Sequence, residues 1–474
     1  MSLIQPVSFE AALDAANQHA RNYLAQVEGM PVGPALTAAE LRQRLNKPLA
    51  EQGIPPEEVV HQLGLDAAGG LMQSPGSRFF GWVIGGTLPA ALAADWMTTA
   101  WDQNAASYST SPASAMVEEI VGGWLKELLR LPSSASFALV TGCQLAHFTC
   151  LAAARHAVLH QRGWDVERRG LFGAPPIHIV TSDLLHGSAE RAIRFAGIGT
   201  DQIIRLPSDT SGRLPAATLA QALQSIDGPV IVILQAGDVN VGAFDSFRDL
   251  IPIAKRHGAW VHVDGAFGLW AAASPRFRHL VADVATADSW ATDGHKWLNV
   301  PFDCGYAFVA DSGVHQAAMA YRAAYISYAK DARDPADWNP EWSRRARGFA
   351  TYAAIRQLGR RGIAEMIERC CDMAELLTTG IGRLPGAELI QTSPINQGLV
   401  RFLDPRPGAT AEDHDRRTAE VVAGICASGE AWFSDTVWKG RRAMRISVCN
   451  WRTDRDDVDR VIQAVATVVR QRSA

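Results

Sequence analysis

From about Phe79 to Ala310 the chain alternates short apolar runs, rich in β-branched residues, with stretches that carry an apolar stripe at helical spacing. The runs are Phe137–Thr141, Ile177–Thr181, Val230–Leu234, Trp260–Asp264, Asp288–Thr292 and Tyr306–Ala310. Between them lie the helical patterns Ala146–His160, Ser188–Ala196 and Phe247–His257. Such alternation predicts an α/β fold with a mostly parallel sheet and helices on both faces. Ligands of such folds sit outside the carboxyl ends of the strands, so the residues just after each run are where chemistry is expected.

A chain of 474 residues is too long for one simple core. Residues 1–75 read as a helix, Ala11–Val27, and then a segment punctuated by Pro31, Pro34, Pro48, Pro55, Pro56 and Pro75. That extension has little core of its own, and a second subunit is a candidate for what it packs on. Residues 76–345 form the large domain, and 321–342 are a polar connection carrying Pro335 and Pro340. Residues 346–474 are a smaller domain, with a helix from about Arg344 leading in and Gly362 opening another. A strand Gly398–Phe402, a helix around Thr418–Ala427, a strand Met444–Val448 and a last helix Asp456–Arg470 follow.

The formal net charge of -4 and the lack of a basic block argue against a nucleic-acid surface. The seven cysteines are odd in number and form no C-x-x-C pair. A disulfide framework or zinc site is not expected, no metal is assigned, and a reducing, cytoplasmic setting is the simpler reading. Met1–Glu28 has no apolar signal core, and the longest apolar stretches are strand-sized, so no membrane span is expected.

Three strand ends carry a constellation. Ser182-Asp-Leu-Leu-His186-Gly-Ser188 follows the second run, Asp264-Gly-Ala266 ends the fourth, and Thr292-Asp293-Gly-His295-Lys296-Trp297 ends the fifth. Pyridoxal 5'-phosphate (PLP) needs such a set. Its aldehyde needs an amine, which Lys296 supplies as the Schiff-base lysine. Its pyridine nitrogen needs an acidic partner, Asp264, and its ring a flat face, His186. Its phosphate needs backbone N–H groups at a helix start, offered by Gly142, Cys143 and Gln144 after Thr141, with His295 assisting. Ala266 and Asp293, in the same turns, join the cofactor-binding set. A lone histidine is more often a core group, and a lone Asp264 is read as well as a turn cap; both on one rim with His295-Lys296 favour function.

Val261-His-Val-Asp264-Gly-Ala266, followed by Asp288–Leu298 and Phe302-Asp303-Cys304, resembles the group II PLP-dependent decarboxylases, which include aromatic-amino-acid, histidine and glutamate decarboxylases. The segment around His186, Phe79-Phe-Gly81 with Gly86-Thr-Leu-Pro89, Arg344-Arg345-Ala-Arg347 and Met444-Arg445-Ile-Ser447-Val resemble further pieces of that family, in its order, over roughly residues 70 to 470. The resemblance implies fold type I with a seven-stranded sheet and a smaller C-terminal lobe. It also implies a homodimer with shared active sites, around which the N-terminal segment wraps. Arg445 either binds a substrate carboxylate, as its counterpart does in the glutamate branch, or makes a structural salt bridge.

Three departures bear on the reaction. Pro335 falls where the family's mobile loop carries the tyrosine that protonates Cα, leaving Tyr325 and Tyr328 upstream as substitutes and Tyr328 as a substrate-side candidate. The turn after Val230–Leu234 has Val239 in place of a threonine, and Asn240 is expected to bond the PLP 3'-oxygen instead. The phosphate loop, Gly142-Cys143-Gln144, lacks the serine, threonine or second glycine of many relatives, leaving backbone N–H groups to do the work. Decarboxylation of an L-amino acid is the first expectation. Decarboxylative oxidative deamination, transamination and aldol-type cleavage follow, with a non-catalytic PLP-fold sensor well behind because the lysine is intact.

Overall fold

The computed structural model describes residues 8–321 and 332–471. Seven strands form the main sheet: β1 (Ser136–Val140), β2 (His178–Ser182), β3 (Ile203–Leu206), β4 (Val230–Gln235), β5 (Trp260–Asp264), β6 (Ser289–Asp293) and β7 (Gly305–Val309). Their order is β1-β7-β6-β5-β4-β2-β3. Strands β2 to β6 pair in parallel, and only β7 runs antiparallel to its neighbours. Central strands β4, β5 and β6 are buried along their whole length, which is why they read as continuous apolar runs. Alternate residues feed opposite cores: Val232, Val261, Val263, Trp290 and Phe308 pack on one face, Ile231, Ile233, Trp260, Ala291 and Val309 on the other. Helix Phe247–Arg256 covers the first face and helix Cys143–His160 the second.

The six runs read from the sequence all became strands, shifted by at most a residue or two at their ends. Strand β3 was not anticipated: it is four residues long, sits at the sheet edge and exposes Arg205, so it lacks an apolar run.

The smaller lobe is an antiparallel sheet in the order β10-β11-β9-β8, built from β8 (Ala387–Thr392), β9 (Gln397–Phe402), β10 (Ser434–Trp438) and β11 (Arg441–Ser447). β8 and β10 escaped the sequence reading because they are partly exposed edges with mixed composition. Helix Gly348–Gly382 leads into this lobe, and its break falls at Gly359, not Gly362. Gly359 takes φ 61, a left-handed backbone that glycine adopts without strain.

The N-terminal helices Glu10–Gln26, Ala38–Leu45 and Pro56–Ala68 contain no buried residue. Leu13, Leu45, Leu63 and Leu65 are exposed there. By contrast, the chain around Val32 and Arg78 is tied to its own small lobe. The Val32 N–H donates to the Gly429 carbonyl, and the Arg78 guanidinium to the carbonyls of Glu28, Met30 and Glu430.

Candidate active site

The turn after β6 holds Lys296. Its Nζ lies 3.0 Å from Asp293 Oδ2 at the end of the same strand. Burial pushes the ammonium down, but the Asp293 and Asp264 carboxylates outweigh it and hold Lys296 above its ordinary value. Gly85 crosses directly over this turn; a Cβ there would meet the Lys296 carbonyl oxygen at 2.0 Å, so only glycine fits.

Asn299, which the sequence reading did not single out, clasps the turn from below. It is fully buried, in the left-handed region at φ 55. Its Oδ1 accepts from the Gly86 N–H at 2.7 Å and the Trp451 N–H at 3.0 Å. Its Nδ2 donates to the carbonyls of Trp297 at 2.9 Å and Cys449 at 3.0 Å. Asn299→Ala strands one buried and one half-buried N–H donor and is expected to destabilise the protein by about 3 kcal/mol and to weaken cofactor retention. Urea unfolding would check this, and a loss below about 1 kcal/mol would contradict the clasp.

Asp264 ends β5 and is buried. Its Oδ1 accepts from the Ala266 N–H at 3.1 Å, and its Oδ2 lies 3.5 Å from His147 Nε2. Burial raises a carboxyl's affinity for its proton, yet the His147 ring that faces it and the Lys296 ammonium win and hold Asp264 below the usual carboxylate range. His147 in turn lies 2.9 Å from His262 Nε2 through its Nδ1, and 3.3 Å from Cys143 Sγ through its Nε2. One ligand-type atom from each of Cys143, His147 and Asp264 lies within 4.8 Å of the others.

His186 caps helix Gly187–Phe195. Its Nδ1 accepts from the Ser188 N–H at 3.2 Å, so a neutral ring carries its proton on Nε2. Desolvation within the cleft, partly offset by Asp264, lowers its proton affinity and favours that neutral form. His186, Gln235, Asp238, Asp264, Ala266 and Lys296 line one cleft.

Helix Cys143–His160 starts beside this cleft. The Cys143 N–H donates to Asp293 Oδ1 at 2.6 Å, so Asp293 joins the helix start to Lys296. A Cβ on Gly142 would lie 3.0 Å from the His295 ring, and one on Gly305 only 2.5 Å from the Gly142 Cα. The loop is thus a close-packed glycine cradle, with His295 and the half-exposed Gln144 beside it. The His295 ring accepts from the Cys304 N–H at 3.1 Å and stacks on Phe302, and burial lowers its proton affinity. Burial also pushes the Cys143 thiol well up, which makes it a poor nucleophile.

Lys296, Asp264, His186, Ala266, Asp293, His295, Gly142, Cys143 and Gln144 are therefore gathered at one rim. Asn240 is not brought there. Asp238 folds the turn by accepting from the Asn240 and Val241 N–H groups, and the Asn240 amide oxygen accepts from Thr436 of the small lobe at 2.9 Å. Asp238 and Val239 line the cleft instead. Arg445 is buried and donates to Ser434 Oγ at 3.3 Å, and its Nε has no hydrogen-bond partner among the described residues. Asp238 raises its proton affinity and burial lowers it, with burial dominant. Tyr325 and Tyr328 lie outside the described residues; Pro335 opens a buried turn, Pro335–Asp337.

This donor set fits the cofactor inferred from the sequence. An amine, a carboxylate and an imidazole line one cleft, and a helix start packed too tightly for side chains lies beside it.

Comparison with known proteins agrees. Residues 42–403 match the family model described as the pyridoxal-dependent decarboxylase conserved domain. The chain is similar to an aromatic-L-amino-acid decarboxylase of Bacillus atrophaeus, 24% identical over 95% of this chain and 93% of that protein. It is also similar to a phenylacetaldehyde synthase of Petunia hybrida, 24% identical over 97% and 93%. Among solved structures, the Oryza sativa TDC with PLP and tryptamine superposes with a TM-score of 0.92 at 24% identity, over 99% of this chain and 100% of that one.

Proposed function

Because the chain belongs to the pyridoxal-dependent decarboxylase family, and so is a PLP-dependent amino-acid carboxy-lyase of fold type I, we propose that its substrate is an aromatic L-amino acid. The observation that carries the catalytic reading is the convergence of Lys296, Asp264 and His186 on one cleft. When bound, PLP supplies an electron sink for the pair left on Cα as carbon dioxide departs.

The chain's own residues do the rest. Lys296 would offer the amine that holds the cofactor aldehyde. Asp264 keeps a proton on the ring nitrogen, and the His186 face fixes the plane of the ring. The Cys143 N–H is taken by Asp293, so the other N–H groups of the loop at Gly142, with His295, would receive the phosphate. Arg445, charged and incompletely paired, receives the substrate carboxylate. The aromatic class is supported by the decarboxylase of B. atrophaeus and by the apolar Leu184, Val239 and Phe267 in the cleft wall.

A second product is favoured by one feature. Pro335, where the family's loop tyrosine is expected, lies buried in a turn, and one relative is named as an aldehyde synthase. Decarboxylation with oxidative deamination would follow where no group protonates Cα: dioxygen takes the electron pair and leaves as hydrogen peroxide, and water hydrolyses the resulting imine to aldehyde and ammonia. The test is to incubate the purified enzyme with a panel of aromatic, acidic and basic amino acids and to follow carbon dioxide, amine, aldehyde, ammonia and peroxide. Carbon dioxide from aromatic substrates only is the expected result. Release from acidic substrates alone would overturn the aromatic assignment, and amine against aldehyde separates the two products.

We also read the enzyme as a cytoplasmic homodimer with shared sites, built from an extension to about residue 75, a large domain to about 345 and a small domain beyond. The exposed leucines of the N-terminal helices, with exposed Trp82, Trp96 and Trp101 nearby in sequence, support a partner surface. Among the described residues no helix is long and apolar enough to cross a membrane.

A further inference from the structure

Four buried residues behind Asp264 make a connected line that the reaction as described does not use. Trp260 Nε1 donates to Ser289 Oγ at 2.9 Å. Ser289 Oγ lies 2.9 Å from His262 Nδ1, His262 Nε2 lies 2.9 Å from His147 Nδ1, and His147 Nε2 lies 3.5 Å from Asp264 Oδ2. The two imidazoles meet edge to face, with planes at 83°. His147, His262 and Ser289 have no solvent exposure.

The direction of this line follows from its far end. An indole N–H only donates, so Ser289 Oγ accepts there and its own O–H can turn to His262 Nδ1; the Ser289 carbonyl, which faces the same ring, and Cys150, beside the same hydroxyl, are the competing partners. His262 then carries its proton on Nε2 and gives it to His147 Nδ1. His147 is left with its proton on Nε2, facing Asp264. Each ring is neutral in this order, and burial independently lowers His262 to about 3.

We propose that Trp260, Ser289, His262 and His147 form a one-directional, charge-neutral relay that holds an N–H against Asp264 and leaves its negative charge to the cofactor's ring nitrogen. The opposite arrangement, an imidazolium at His147, would neutralise Asp264 and set a second cation against a protonated ring. The titratable groups around His147 are Cys143 on its own helix, Asp264 and His262 on β5, and His186 across the cleft. Nε2 faces Cys143 Sγ at 3.3 Å and Asp264 Oδ2 at 3.5 Å, and of the two the carboxylate is the stronger acceptor and draws the proton. The four relay members are positioning residues: they act through Asp264, and the proposal rests on the reading that Asp264 serves the ring nitrogen.

The test uses the full-length enzyme labelled with 15N-histidine and loaded with PLP. Long-range proton–nitrogen spectra are expected to show His147 and His262 as neutral rings protonated on Nε2. Ser289→Ala should move His262 toward the Nδ1-protonated form. His147→Gln, whose amide N–H replaces the Nε2 donor, should keep PLP affinity within about threefold, while His147→Leu should weaken it about tenfold, the worth of one hydrogen bond. An imidazolium pattern at His147, an unchanged His262 in Ser289→Ala, or equal PLP affinity in the two His147 variants would overturn the relay. Failure of Asp264→Asn to alter the absorption of bound PLP would instead sink the role given to Asp264, with the wild-type histidine spectra still judging the relay.

Discussion

Lys296→Ala should lower kcat by on the order of 10,000-fold and abolish the visible absorption band of the bound cofactor. The amine is the only group among the described cleft-lining residues able to form a covalent link to the cofactor aldehyde. Its surroundings also matter. Asp293 orients the ammonium at 3.0 Å, and Gly85 presses on the Lys296 carbonyl, so the side chain leaves a turn that cannot shift. Alanine removes the amine without crowding that turn, and the variant should fold normally. Rate measurements with added methylamine would separate lost chemistry from lost folding, because a small amine can restore part of the activity only if the site is otherwise intact. Activity within tenfold of wild type would remove Lys296 from the mechanism.

Asp264→Asn should cost on the order of 1,000-fold in kcat with a much smaller change in substrate KM. The substitution preserves shape and the acceptor for the Ala266 N–H, but it removes the negative charge. A neutral amide does not keep a proton on the ring nitrogen, so the ring becomes a weaker electron sink. The buried His147 would also lose the carboxylate it faces at 3.5 Å. Asp264→Glu retains the charge but adds a methylene in a closed space, and should fall between the two. A rate for Asp264→Asn near that of wild type would show that the ring nitrogen is served by another group.

The chemistry was legible where local sequence and strand geometry coincide. Lys296, Asp264 and His186 each follow an apolar run, and a parallel sheet sends such positions to one rim. His147 was unreadable as the partner of Asp264, because the contact joins one face of a long helix to a strand more than a hundred residues away. Asn240 was misplaced for a different reason. The path of its turn is set by the Asp238 carboxylate capping two N–H groups, a choice that composition does not reveal. Short edge strands such as β3 and β10 lack a sustained apolar run, and the kink at Gly359 depends on a left-handed backbone that any of several nearby glycines could have supplied.

The clasp at Asn299 has a consequence for biosynthesis. It joins the chain at Gly86, at Trp297 and at Cys449 and Trp451, so the support beneath the lysine turn is complete only once the chain has been made as far as Trp451. A nascent chain still missing its last lobe would leave two of these bonds unmade, and contacts of such sequence separation form late. Coenzyme capture should therefore wait for the small lobe, and chains that stop short of it should not sequester a scarce vitamin-derived molecule.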